Sequence, residues 1–176
     1  MTFIITRNLR CQKPLNTLAT PFIDRLPGMP PGTLTLPEGR KKEKAKIELL
    51  RYSPQEVLEK ELSSIKDILE EKKDRSVMWV NIEGINDLDT LEEVGEIFGM
   101  HPLHLEDILN TDQRPKLEEH EGYLFLAMKM IYLRGEADDI EYEHLSVFVS
   151  DDTVITFQQR QGDVFDPVRD RIRKAK

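Results

Sequence analysis

The chain predicts an α/β domain whose mixed parallel/antiparallel sheet is sandwiched by helices, and three observations carry that prediction. Runs rich in β-branched and aromatic residues, such as "SVMWVNIEGI", are interleaved with amphipathic, cappable segments such as "NDLDTLEEVGEIFG". Two strand-like runs meet directly at Asp151–Asp152, which makes at least one neighbouring pair an antiparallel hairpin. Of 176 residues, 39% are apolar, enough to bury one core of ordinary domain size.

Residues 1–32 read as an irregular arm, because Pro14, Pro21, Pro27, Pro30 and Pro31 interrupt every periodic pattern there. Residues 33–165 read as the folded domain. Its first stretch, "TLTLPEGRKKEKAKIELLRY", predicts a strand, a basic turn around 38–46 and a second strand ending near Tyr52. "SPQE" at 53–56 has the form of a capping box, with Ser53 as cap, Pro54 at the first helical position and Glu56 reaching back. A helix is therefore expected next, with Val57, Leu58, Leu62, Ile65, Ile68 and Leu69 as its apolar stripe.

Residues 76–85 read as a buried strand ending at Gly84. The helix after it is capped by Asp87 or Asp89, presents Leu88, Leu91, Val94 and Phe98 to the core, and stops at Gly99. Pro102 restarts a short helix with His101 as cap. Residues 116–134 read as strand, turn at Glu121–Gly122, and strand. The second of these, "YLFLAMKMIY", is apolar on both alternating faces, which predicts a position near the centre of the sheet with Phe125 and Met128 both buried. The Asp151–Asp152 hairpin follows, and residues 166–176 begin a further helix with Asp166 as cap and Pro167 in the first turn.

Charge narrows the function. The chain carries 25 basic and 33 acidic residues, a net −8, which argues against a nucleic-acid partner. Residues 101–152 concentrate the acid, with 13 acidic against four basic residues and all four histidines. The single cysteine, Cys11, leaves no internal disulfide and no thiolate zinc cage, and fits a reducing, cytoplasmic setting. No secretory leader is visible, and the longest apolar run, "YLFLAMKMIYL", is broken by Lys129 and falls short of the roughly 20 residues that span a bilayer. The expectation is a soluble chain. No nucleophile elbow, phosphate loop or dinucleotide fingerprint occurs, so neither an enzyme nor an organic cofactor is expected.

The stretch "HPLHLEDILN" (101–110) gathers two histidines and two carboxylates. At about 100° per residue, Leu105, Ile108 and Leu109 share one helix side with His101 beside them, while Glu106, Asp107 and Asn110 occupy the other. His104 sits at the boundary, within one-turn reach of Asp107. The histidines and carboxylates do not converge on one helix face. Glu106, Asp107 and Asn110 offer only oxygen, which suits a hard cation such as Mg²⁺ that keeps several waters, and does not suit zinc. From spacing alone a solvated helix face stays open beside that half-site, and any metal site would need ligands from another segment or another chain.

"MWVNIEGI", "GEIFGMHPLHLEDILNTDQRPKLEEHEGYLFLAMKM" and "VFVSDDTVITFQQRQGDVFDPVRDRIRKAK" together resemble the amino-terminal cytoplasmic domain of the CorA family of divalent-cation transporters, over roughly residues 34–176. The resemblance implies a homopentamer of identical subunits at the inner face of a membrane. It also implies Mg²⁺ or Co²⁺ as both transported and regulatory ion, bound between subunits to hold the pore closed. Carried onto this chain it makes Asp107 the first metal-ligating candidate, Glu106 the second and Asp112 the third, opposite a carboxylate on the neighbouring subunit's stalk. It further implies that residues 166–176 start a stalk helix, and that the membrane helices and their Gly-Met-Asn loop lie beyond this chain. A related zinc-transporter domain and a free-standing metal-binding module are the alternatives.

Overall fold

The computed structural model describes residues 32–174 apart from Glu38, Asp74, residues 135–138 and Asp163. Most of the expected Pro-containing arm, including Cys11, lies outside the described residues.

Seven strands form one sheet: β1 (Lys46–Tyr52), β2 (Val57–Leu62), β3 (Val77–Glu83), β4 (Lys116–His120), β5 (Tyr123–Arg134), β6 (Asp139–Val149) and β7 (Thr153–Gln158). Their order across the sheet is β2-β1-β3-β7-β6-β5-β4. β3 and β7 run parallel, with Val80 beside Ile155, and the other neighbours are antiparallel, so the sheet is mixed as expected. A 3-10 turn at Ile65–Asp67 leads into α1 (Ile68–Glu71), and α2 (Leu88–Phe98), α3 (Pro102–Leu109) and α4 (Asp166–Lys174) complete the helices among the described residues.

One sheet face carries the main core. Leu49, Val80, Ile155, Phe148 and Phe125 come from five neighbouring strands, and Ile65, Ile68, Leu91, Val94 and Ile108 cover them from the helices. At about 25 cal/mol per Å² this apolar burial is the chief stabilising term. On the other face α4 lies against Trp79, with Phe165 edge-on to the indole at 5.6 Å and the Arg169 guanidinium over it at 5.1 Å. Beneath α4 the face is polar and buried: Trp79 Nε1 donates to Thr156, whose hydroxyl donates to Asn81 Oδ1, which also accepts from Gln158.

Four expectations are corrected. Residues 33–37 form no strand. Only the serine half of the "SPQE" box forms, and it makes a turn: Ser53 Oγ accepts from the backbone N–H of Gln55 and Glu56, while Ser53 N donates to Glu56 O and the Glu56 carboxylate is held by Arg51 and Lys73. The chain therefore folds back at Val57, opposite Tyr52, and 57–62 pairs with β1 as an edge strand instead of starting a helix. The capping box that opens a helical segment comes eleven residues later, where Ser64 accepts from Lys66 N and Asp67 accepts from Ser64 N. Here the hydrogen-bonding demand of β1 outweighs local propensity.

The third correction concerns β5, which is next to the edge strand β4, with β7 at the centre. Phe125 is fully buried on the main core face, but Met128 on the opposite face is only half-buried and Leu124 is exposed, because no described helix covers that end of the sheet. α4 begins at Asp166 itself, with Val168 N and Arg169 N donating to Phe165 O, so Asp166 is its first residue and not its cap. α2 and α3 match their sequence signals. Asp87 caps α2, Gly99 closes it in the left-handed conformation at φ 64°, and His101 caps α3 through Nδ1.

Candidate functional site

α3 is positioned from both ends. At its start His101 Nδ1 accepts from Leu103 N at 3.2 Å, Pro102 occupies the first turn, and the His101 N–H donates to Tyr123 Oη at 2.9 Å. At its end no basic residue of its own faces the exposed carbonyls. Arg40 supplies that charge by donating to Leu109 O at 3.1 Å and to the Thr111 hydroxyl, and Lys129 of β5 donates to Thr111 O. Leu105, Ile108 and Leu109 face the core, as the spacing predicts.

Asp107 and Glu106 therefore point away from the core, but neither is a freely solvated carboxylate. Asp107 Oδ2 lies 2.6 Å from Lys116 Nζ, and its side chain is 18% exposed. Glu106 is half-buried and its Oε2 accepts from the Gly32 N–H at 3.3 Å. Asp112 is exposed in the turn after α3, where Arg40 and Lys129 feel its charge. Burial lowers the pKa of both cations, and Asp112 works against that shift. So Glu106 and Asp107 share one helix face, while Asp112 sits beyond the helix end among cations.

The structure adds partners that the helix spacing did not show. β4 lies beside α3, and its alternate residues Lys116 and Glu118 turn toward it. The Lys116 ammonium bridges Asp107 and Glu118, reaching Glu118 Oε2 at 2.9 Å. His104 is buried, not at a wet boundary, and it does not bond Asp107: its Nε2 meets Glu118 Oε2 at 2.9 Å and its Nδ1 meets Tyr123 Oη at 2.8 Å. Its ring stacks on Phe125 with centroids 4.5 Å apart. Burial lowers the His104 pKa against the opposing pull of Glu118, and the Lys116 hydrogen bond holds the Glu118 carboxyl below its usual range. An ionised Glu118 can only accept, so His104 donates from Nε2 and accepts the Tyr123 hydroxyl proton at Nδ1. Tyr123 Oη in turn accepts from His101 N. A continuous chain of hydrogen bonds thus joins Asp107, Lys116, Glu118, His104, Tyr123 and the start of α3.

Asp107, Lys116, Glu118 and His104, with Glu106 and the exposed His101 and His120 rings, line an open groove of about 600 Å³. Among the described residues no group of three or more His, Cys, Asp or Glu side chains is arranged to hold a metal ion. Lys116 and Glu118 had one legible signal: in a strand, residues two apart share a face. That β4 runs alongside α3 was not readable from either segment.

Among the described residues no helix is long and apolar enough to cross a membrane. The Cobalt/magnesium transport protein CorA of Thermotoga maritima is 42% identical over 146 residues, covering 83% of this chain and 41% of that protein. The Putative metal ion transporter YfjQ of Bacillus subtilis is 29% identical over 102 residues, 58% of this chain and 30% of that protein. The chain thus spans less than half the length of either relative. A solved structure of the full-length CmaX protein shares the fold with a TM-score of 0.59 at 14% identity, over 79% of this chain and 42% of that one. The family described as "CorA-like Mg2+ transporter protein" matches residues 56–176, from the turn before β2 through α3, its groove and α4, and to that family this chain belongs.

Proposed function

We propose that this chain is the ion-responsive domain of a divalent-cation transporter, lying at the cytoplasmic face of a membrane in the full-length protein and repeated there in a pentamer of identical subunits. In this reading residues 33–165 are the regulatory unit behind an arm at 1–32, and residues 166–176 begin the helical segment that leads toward the membrane. Mg²⁺ or Co²⁺ is both cargo and regulator. The observation that carries the reading is the 42% identity with a Thermotoga protein named for cobalt and magnesium transport.

Asp107 is the first metal-ligating residue, Glu106 the second and Asp112 the third. The donor chemistry supports this order. Asp107 and Glu106 present carboxylate oxygens beside a groove, and a hard cation such as Mg²⁺ takes one or two carboxylates while keeping part of its water shell. Asp112 is exposed beyond the end of α3, outside the groove that Glu106 and Asp107 line, and so ranks third. The remaining ligands come from a neighbouring subunit. An ion held between subunits in only one of their arrangements stabilises that arrangement by its differential affinity, and here it is the closed pore that gains.

The test is transport current against cytoplasmic Mg²⁺ in the full-length protein. Asp107→Ala is expected to require more Mg²⁺ for the same inhibition. Superimposable inhibition curves for wild type and variant would sink the assignment of Asp107 as a regulatory ligand.

A further inference from the structure

We infer that Lys116 is a built-in competitor for the divalent cation, a tethered ammonium that occupies the oxygen face the ion must use and so sets the ion concentration at which Asp107 becomes available. The inference rests on the reading of Asp107 as a metal-binding carboxylate. Lys116 Nζ is 2.6 Å from Asp107 Oδ2 and 2.9 Å from Glu118 Oε2, bridging two carboxylates from different elements. The bridge is sheltered, with the Lys116 and Asp107 side chains 24% and 18% exposed and the ammonium 5.9 Å from the Phe125 ring centroid.

Mg²⁺ binds carboxylate oxygen at about 2.0–2.1 Å. An ion at that distance from Oδ2 would meet an ammonium already in contact with the same oxygen, and two like charges so close repel strongly in a half-buried groove. Binding is therefore an exchange, in which the ion enters as the lysine leaves. The flexible four-carbon stem permits the departure. Glu118 then keeps its hydrogen bond from His104 Nε2, so the rest of the chain of hydrogen bonds is not left without a partner. The exchange also discriminates by charge. A monovalent ion brings no more charge than the ammonium and lacks its tether, so only a divalent ion displaces it at moderate concentration.

The test is a Mg²⁺ titration of the 176-residue chain, followed by the amide resonances of α3 and β4, for wild type, Lys116→Met, Lys116→Arg, Asp107→Asn and the Lys116→Met/Asp107→Asn pair. Lys116→Met is expected to bind Mg²⁺ about tenfold more tightly, the worth of one charge-assisted hydrogen bond. Lys116→Arg keeps the charge and should stay near wild type, and Asp107→Asn should remove binding in both backgrounds. If Lys116→Met loses the dispersion of a folded chain, Lys116→Gln makes the same comparison. Equal or weaker binding in the neutral variants, with Asp107→Asn still abolishing it, overturns the competitor role and leaves the metal site standing. Binding that ignores Asp107→Asn in both backgrounds overturns the site, and the competitor role with it.

Discussion

His144 shows how a single buried side chain can set the acid limit of the domain. It lies on β6 at 1% exposure, its Nε2 is hydrogen-bonded with Ser146 Oγ at 2.9 Å, and the Lys129 ammonium lies close enough to disfavour a second positive charge. Burial first and Lys129 second push its pKa down to about 4. The unfolded chain binds that proton near the ordinary value of about 6.5, so between the two values the unfolded state holds more protons than the folded one. The stability His144 contributes is complete above about 6.5 and is lost as pH falls toward 4, a change on the order of 3 kcal/mol. His104, also lowered by burial, acts with the same sign. Urea denaturation at several pH values between 7.5 and 4.5 should show this loss, and His144→Gln should flatten the slope. Residue-scale chemistry of this kind is illegible in "EHLSVF", because a lone histidine carries no mark of its depth.

At the scale of elements, the first turn of α2 does more than begin a helix. Asp87 Oδ1 accepts from Thr90 N, while its Oδ2 accepts from Thr90 Oγ1 and, at 3.0 Å, from the buried N–H of Ala45. The cap thereby ties the loop before β1 to the helix. An ordinary cap deletion costs about 1 kcal/mol, but here a buried backbone donor also loses its acceptor. Asp87→Ala should destabilise the fold by about 2–3 kcal/mol in urea melts, and Asp87→Asn, which retains one acceptor, by clearly less. The same logic separates the two Ser-x-x-acid boxes. Both Ser53 and Ser64 make the side-chain contacts their sequences promise, yet one serves a hairpin and the other a helical turn. A four-residue signal reports local hydrogen bonds, and the partner strand decides which element the chain forms next.

For the whole molecule, charge and exposed apolar surface oppose each other. Net −8 favours separation of copies, whereas Leu117, Leu124, Ile131 and Tyr142 remain exposed on β4, β5 and β6. We expect this chain by itself to be monomeric or weakly self-associating, and to associate more as Mg²⁺ screens the acidic surface. Sedimentation velocity with and without MgCl₂ checks this, and a tight pentamer at micromolar protein without metal would contradict it.

The sequence by itself determined the α/β class, the capped and glycine-stopped α2, the Pro102 start of α3, the two hairpin turns and the outward placement of Glu106 and Asp107. Each comes from spacing, capping residues or turn residues within about a dozen positions, a range over which period and propensity operate. Only the tertiary structure decided that 57–62 is a strand, that β7 rather than β5 is central, and that Asp107 faces an ammonium from β4 instead of open water. Those outcomes depend on which segments become neighbours. Neighbours in space are chosen by the competition of all strands and helices for one core and one set of backbone partners, and no short window of residues contains that competition.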